Sequence, residues 1–135
     1  MAKKARTIKG VFFDPDKQIA TVESVSHEDY RDFLRLIECD TMDIATRKFG
    51  EHWLDVVCDD DGLLRDPLPR PSIATFDGKG RLVETIVGKV FVCKSDDEGE
   101  SVSLAEDEIN AVLRSCRIAE TRDGKEIVLL TCSCE

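Results

Sequence analysis

The residues of this 135-residue chain that could do chemistry lie close together, between positions 58 and 71. One cysteine stands directly before three consecutive aspartates, and a proline-containing loop with two arginines follows. Carboxylates bind calcium and magnesium, a thiolate can act as a nucleophile, and guanidinium groups bind phosphate or carboxylate. The residues in question are Cys58, Asp59, Asp60, Asp61, Arg65 and Arg70.

The spacing of the aspartates argues against a metal site. A calcium loop of the EF-hand type needs oxygen ligands at alternate positions before its glycine and a glutamate six residues after it. Here the three aspartates are consecutive, so they cannot all point at one ion in an extended chain, and position 68 is Leu68. We therefore predict no metal and no other cofactor. We interpret the run as a solvated turn, with binding of a basic partner by Asp59, Asp60 and Asp61 as the alternative.

The chain also lacks a pattern typical of an enzyme. The three aspartates after Cys58 would raise its pKa, and neither His27 nor His52 lies in a hydrolase-like motif. The glycine-rich segment 78–80 lies between two predicted strands, whereas a phosphate-binding loop precedes a helix. We predict that the protein is not an enzyme.

The segment Leu64–Pro71 is the best candidate for a binding site. Long connections without regular structure in a compact domain are often functional. We predict that Arg65 and Arg70 bind an anionic ligand, with an aromatic side chain such as Trp53 or Phe76 lining the pocket. The alternative is that both arginines pair with the neighbouring aspartates or are simply solvated.

Composition sets the class of protein. The formal net charge is −9, which disfavours direct nucleic-acid binding because that requires dense Lys and Arg. The longest apolar runs, such as Ile127–Leu130, are too short to span a membrane, and no apolar signal-peptide core follows the basic start. The six cysteines form no Cys-x-x-Cys pair and lie in apolar segments, which is typical of free thiols in a reducing cytoplasm.

Hydrophobic periodicity predicts an α+β fold with a mainly antiparallel sheet and two amphipathic helices packed on one face of it. The first helix should start at Ser26 and the second at Ser103, which opens a capping-box pattern. Cys116 should lie on the apolar face of the second helix. The predicted strands are 7–13, 19–25, 42–46, 52–58, 72–76, 82–86, 89–93, 118–121 and 126–131. We expect one domain over residues 1–135, with 1–6 frayed and 95–135 as an added helix and hairpin.

Four blocks of the sequence resemble a family of small domains of unknown function that phages, plasmids and mobile elements encode. The resemblance spans about residues 8–94 and leaves the tail from Leu104 onward outside. The family often has an Asn-Arg pair after the prolines, where this chain has Arg70-Pro71. The blocks are Val11–Asp16, Val56–Leu64, Pro67–Pro71 and Ile86–Val92.

This resemblance, together with the lack of catalytic patterns, implies a non-enzymatic binding protein acting in the cytoplasm of a bacterial host cell. It would sequester a small anionic signalling nucleotide and so counter a defence system, with a homo-oligomer providing the pocket. One alternative is an acidic inhibitor or DNA mimic that docks on a host protein. Another is an ancillary structural or regulatory module without a ligand.

Overall fold

A computed structural model describes residues 6–135, which form one mixed sheet with two helices. The helices are α1 (Tyr30–Ile37) and α2 (Glu106–Arg114), and a short 3-10 helix covers Gly62–Leu64. The strands are β1 (Arg6–Asp14), β2 (Ile19–His27), β3 (Met42–Phe49), β4 (His52–Asp59), β5 (Pro71–Phe76), β6 (Leu82–Val87), β7 (Val90–Ser95), β8 (Ser101–Val102), β9 (Cys116–Glu120) and β10 (Glu126–Ser133).

The strand order is β2-β1-β7-β4-β3-β10-β5-β6, with β8 paired to β7 and β9 paired to β10. The pair β10–β5 is parallel, and the other strand pairs are antiparallel. The predicted α+β class with a mostly antiparallel sheet is therefore confirmed. Tight turns join most neighbouring strands, and the turn at Asp123-Gly124 connects β9 to β10 as its sequence predicts.

Strand β10 changes its partner halfway along one edge. Leu130 lies between β5 on one side and β9 on the other, while the last residue of the strand, Ser133, lies between β5 and β3. Because β5 occupies one edge from Leu130 to Ser133, β9 and β3 must share the opposite edge. The two strands leave a split beside residues 131 and 132, where the Thr131 amide donates to the Ser115 carbonyl at 3.0 Å.

The buried side chains of the two helices belong to different apolar clusters. Phe33 and Ile37 of α1 are buried with β-strand residues that include Val57 and Phe91, whereas Ile109, Ala111 and Val112 of α2 are buried with residues that include Val56 and Val92. Successive side chains of a strand point to opposite faces. The prediction that both helices share one face is therefore wrong.

Helix α1 begins later than predicted because β2 continues through His27. Ser26 is a strand residue paired with Thr7, and Asp29 is the N-cap. The Asp29 carboxylate accepts from the Arg31 amide at 2.8 Å, while the Asp32 carboxylate accepts from the Asp29 amide at 3.3 Å. This reciprocal pair is a capping box.

Helix α2 also begins later than predicted, at Glu106. Its first turn is held by Glu108, whose carboxylate accepts from the Ala105 amide at 2.7 Å. Ser103 instead accepts from the Lys9 amide of β1 at 2.8 Å. Cys116 opens β9 rather than extending the helix. The N-terminal prediction of fraying is wrong for Arg6, which starts β1, and the rest of that segment, residues 1–5, lies outside the described residues.

Candidate functional site

Arg65, one of the two arginines predicted to bind the ligand, forms a salt bridge with the end of β4. Its Nε donates to the Asp59 carboxylate, whose side chain is only 8% exposed. This hydrogen bond raises the pKa of Arg65. Asp59 also accepts from the Asp61 amide at 3.0 Å. Most of the charge that Arg65 could offer a ligand is therefore neutralised within the turn.

Arg70 lies in a different setting from Arg65. Its side chain is exposed and lines a cavity of about 540 Å³, which Lys125, Asp123 and Glu126 also line. The lining therefore carries two positive and two negative side chains, and its net charge is zero. The Arg70 carbonyl accepts from the Gly88 amide at 3.0 Å, which joins the loop to the turn before β7. The structure does not bring the two arginines into one site.

The acidic run forms a hydrogen-bonded turn. The Asp60 amide donates to the Thr41 carbonyl at 3.1 Å, and the Thr41 hydroxyl donates to the Asp61 carboxylate at 3.1 Å. Asp60 and Asp61 remain exposed. Among the described residues, no three His, Cys, Asp or Glu side chains are grouped to hold a metal ion.

The two predicted aromatic residues do come into register. Trp53 of β4 pairs with Lys48 of β3, Lys48 pairs with Ser133 of β10, and Ser133 pairs with Phe76 of β5. Laterally paired residues have side chains on the same face of a sheet. Trp53 and Phe76 therefore belong to one row, away from both arginines of the loop.

A cleft of about 700 Å³ lies at the split edge of β10. One wall is the end of the β3–β4 hairpin, and the other is the end of α2 with the start of β9. The lining comprises Lys48, Gly50, Glu51, His52, Phe76, Ala111, Arg114, Ser115, Arg117, Thr131, Cys132 and Ser133.

The cleft concentrates positive charge in an acidic protein. Lys48, Arg114 and Arg117 line it, and within residues 6–135 none of them forms a salt bridge. Glu51 is the one carboxylate of the lining. His52 lies 3.7 Å from Asp107, a bridge that is charged only when the imidazole is protonated. Unpaired cations in a concave site favour an anionic ligand.

The smaller cavity of about 170 Å³ between β3, β4 and β6 provides a contrast. Arg47 lines it together with four carboxylates and is itself paired with Glu84 at 2.8 Å. A cavity with this excess of negative charge repels anions. The lining carboxylates are Asp43, Asp59, Asp60 and Glu84.

The C-terminal end of α2 points toward the cleft, and this end carries partial negative charge. Its carbonyl groups are occupied by donors of the chain itself. The Arg117 guanidinium donates to the carbonyls of Arg114 and Cys116 at 2.6 and 2.7 Å, and the Ser115 hydroxyl donates to the Val112 carbonyl. These bonds reduce the repulsion that an anion would meet and hold the Arg117 side chain beside the cleft.

The thiols of Cys58, Cys93 and Cys132 are poor nucleophiles. Burial raises the pKa of Cys132, which lines the cleft, and raises the pKa of Cys58 and of Cys93 to about 12. A thiol with a raised pKa stays protonated at neutral pH, whereas the thiolate is the reactive form. All six cysteines are free.

Sequence reasoning missed Lys48, Arg114 and Arg117. They lie on three elements, and no motif joins them. The single local signal is that Arg114 occupies the last turn of α2, where a cation is expected for reasons of helix stability alone.

The family model described as a domain of unknown function, DUF3846, matches residues 8–117, and the chain belongs to this family. The match includes α2 and the first residues of β9, so the expectation that the tail from Leu104 lies outside the family is wrong. No curated protein and no solved structure matches the chain. Neither helix in residues 6–135 is long and apolar enough to cross a membrane.

Proposed function

We propose that this protein is a non-enzymatic binding protein that takes a small anionic ligand into the cleft along β10. The observation that carries the proposal is the convergence of Lys48, Arg114 and Arg117, which have no carboxylate partner among the described residues, in a protein of net charge −9. Guanidinium groups form charge-assisted, often bidentate hydrogen bonds with phosphate and carboxylate.

The size of the cation cluster indicates the size of the ligand. Three cations suit one or two phosphate groups, whereas a nucleic-acid backbone requires a longer basic surface. The proposal therefore keeps the sequence-based expectation of an anionic signalling nucleotide, bound in the cytoplasm of a host cell and withheld from a defence system. It places the anion at the cleft instead of at Arg65 and Arg70.

Binding without catalysis agrees with the chemistry of the lining. The Cys132 thiol has a raised pKa, and the single imidazole, His52, lies beside Asp107. The Cys132 thiol shares a hydrogen bond with the Thr75 hydroxyl at 3.4 Å, but within residues 6–135 no hydrogen bond joins it to His52 as a nucleophile and its general base would be.

Calorimetric titration with inorganic pyrophosphate, an anion without a ring, tests the proposal. We expect wild type to bind and the double variant Arg114→Ala/Arg117→Ala to bind at least about tenfold more weakly, because each charge-assisted hydrogen bond contributes about 1.5–3 kcal/mol. Arg122→Ala is the matched control, since Arg122 is an exposed arginine of the β9–β10 turn. Equal affinity of the double variant and wild type would place the anion elsewhere.

A second candidate function rests on a different surface. The exposed turn with Asp60 and Asp61 is followed by three exposed leucines, of which Leu64 is 83% exposed. Acidic and apolar side chains side by side are suited to a basic partner protein. If pyrophosphate does not bind, the double variant Asp60→Lys/Asp61→Lys should lose the partner that co-purifies with wild type from the host. The absence of both interactions would leave an ancillary module without a ligand.

A further inference from the structure

A lateral row of four side chains crosses the sheet beside the cleft. Each residue pairs with the next across four neighbouring strands, β4, β3, β10 and β5. In order, the row is Trp53, Lys48, Ser133 and Phe76.

The row is open to solvent at Trp53 and continuous with the cleft along its other three residues. Trp53 is 50% exposed. Lys48, Ser133 and Phe76 are half-buried and belong both to the row and to the cleft lining. A ligand whose anionic group lies in the cleft therefore has a flat, partly aromatic surface directly beside it.

The spacing of the two aromatic residues restricts the ligand. Trp53 and Phe76 are three strand spacings apart, which is about 14 Å at roughly 4.8 Å per strand. Aromatic rings contact one another at centroid separations of about 4.5–7 Å. A single ring midway between the two would lie at the limit of contact with both and could stack on neither. The row therefore offers two separate positions for a ring.

The positions between the two aromatic residues are occupied by a cation and a hydroxyl. Lys48 is the direct partner of Trp53, and Ser133 is the direct partner of Phe76. Lys48 has no salt bridge within the described part of the chain, so its ammonium is available to an anionic group that lies between two rings. An apolar peptide would leave this charge without a partner.

We propose that the ligand carries two planar bases joined through a phosphate, as a dinucleotide does. One base stacks on Trp53 and the other on Phe76, and the connecting phosphate faces Lys48. A terminal phosphate reaches Arg114 and Arg117 in the cleft. This inference rests on the proposed function, because it uses the same anion site and adds the class of ligand.

The experiment uses the single tryptophan of the chain as its reporter. Full-length protein is titrated with the 5′-phosphorylated diadenylate pApA, with AMP and with pyrophosphate, while Trp53 fluorescence and heat are recorded. We expect pApA to change Trp53 fluorescence and to bind at least about tenfold more tightly than AMP, because stacking of one further base contributes about 1–3 kcal/mol. Pyrophosphate should bind without a stacking effect on Trp53.

Variants separate the ring positions from the anion site. Trp53→Leu and Phe76→Leu should each weaken pApA binding about tenfold in calorimetry. Trp53→Leu, which lies outside the cleft lining, should leave pyrophosphate binding unchanged. Tyr30→Leu is the matched control, because Tyr30 is an exposed aromatic residue of α1 outside the row. Circular dichroism and thermal melting establish that each variant is folded.

The outcomes distinguish the two proposals. If pyrophosphate binds but pApA and AMP bind equally, or if Trp53→Leu binds pApA like wild type, the two-base inference is wrong and the anion site stands. If none of the three probes binds, both proposals fall.

Discussion

Two regions of this molecule present arginines, the turn and loop at 58–71 and the cleft along β10. In the loop, Arg65 is held by Asp59, whose side chain is nearly buried. In the cleft, Arg114 and Arg117 have no carboxylate partner within residues 6–135 and line a concave surface. The same residue type therefore stabilises a turn in one region and is available to a ligand in the other. The difference lies in the partners that the fold provides, and residue type alone does not indicate it.

Reversing the charge at Arg65 should have the largest effect on stability. In Arg65→Glu a second carboxylate faces Asp59, which loses its positive partner and gains a like charge beside a nearly buried side chain. We therefore expect a lower free energy of unfolding, measured by urea denaturation. Arg70→Glu is the control and should change it by less than about 0.5 kcal/mol. A loss that small in Arg65→Glu would mean that the ion pair is not structural and that Arg65 is available for binding.

Reversing the charge at Lys48 should show the opposite behaviour. We expect Lys48→Glu to weaken pyrophosphate binding about 30-fold, or about 2 kcal/mol, because an attractive charge at the cleft becomes a repulsive one. The free energy of unfolding of Lys48→Glu should differ from that of wild type by less than about 1 kcal/mol. Lys79→Glu, at an exposed lysine of the β5–β6 turn, carries the same charge change and should bind like wild type. If Lys48→Glu binds pyrophosphate with the affinity of wild type, Lys48 does not contribute to the anion site, and the contrast between the two regions does not hold.

Ionic strength should affect the regions unequally. Raising salt from 50 to 500 mM should weaken pyrophosphate binding by about 1 kcal/mol, since the Debye length falls from about 14 Å to about 4 Å and solvent-exposed charges are screened more strongly. The stability difference between wild type and Arg65→Ala should change less than the binding does, because the Asp59 side chain is nearly buried and partly buried pairs are screened less. Calorimetry of pyrophosphate binding and urea denaturation of the two proteins are carried out at both salt concentrations. Equal changes in the binding energy and in the stability difference would contradict the prediction.

A separate effect is expected on stability at high pH. The thiols of Cys58, near the acidic turn, and Cys132, in the cleft, have raised pKa values because they are buried. The unfolded thiols ionise near 9, while folded Cys58 stays protonated to about 12. The stabilisation is therefore present below pH 9 and is lost as pH rises from 9 to 12. The melting temperature should fall less steeply over this range in Cys58→Ala than in wild type, and identical slopes would contradict the assignment.

Local patterns predicted most of the strands. The hairpin at Asp123-Gly124 and the strand beginning at His52 follow from turn chemistry and from apolar periodicity, which act over a few residues. The predicted start of α1 was wrong because strand pairing overrides capping. Ser26 fits an N-cap by type, but its backbone pairs with Thr7 of β1. A capping preference contributes about 1 kcal/mol, which tertiary pairing can exceed.

By itself, the sequence determined the α+β class, the acidic character and the residue types available to a ligand. The sequence was compatible with two roles of Arg65, pairing with an aspartate or binding a ligand, and did not distinguish them. The tertiary structure made that choice by burying Asp59 beside Arg65. Only the tertiary structure determined the cleft, because Lys48 and Arg117 come together where the pairing partner of β10 changes from β9 to β3. Such pairing depends on contacts between residues far apart in the chain, and hydrophobic periodicity carries no information about which distant strands become neighbours.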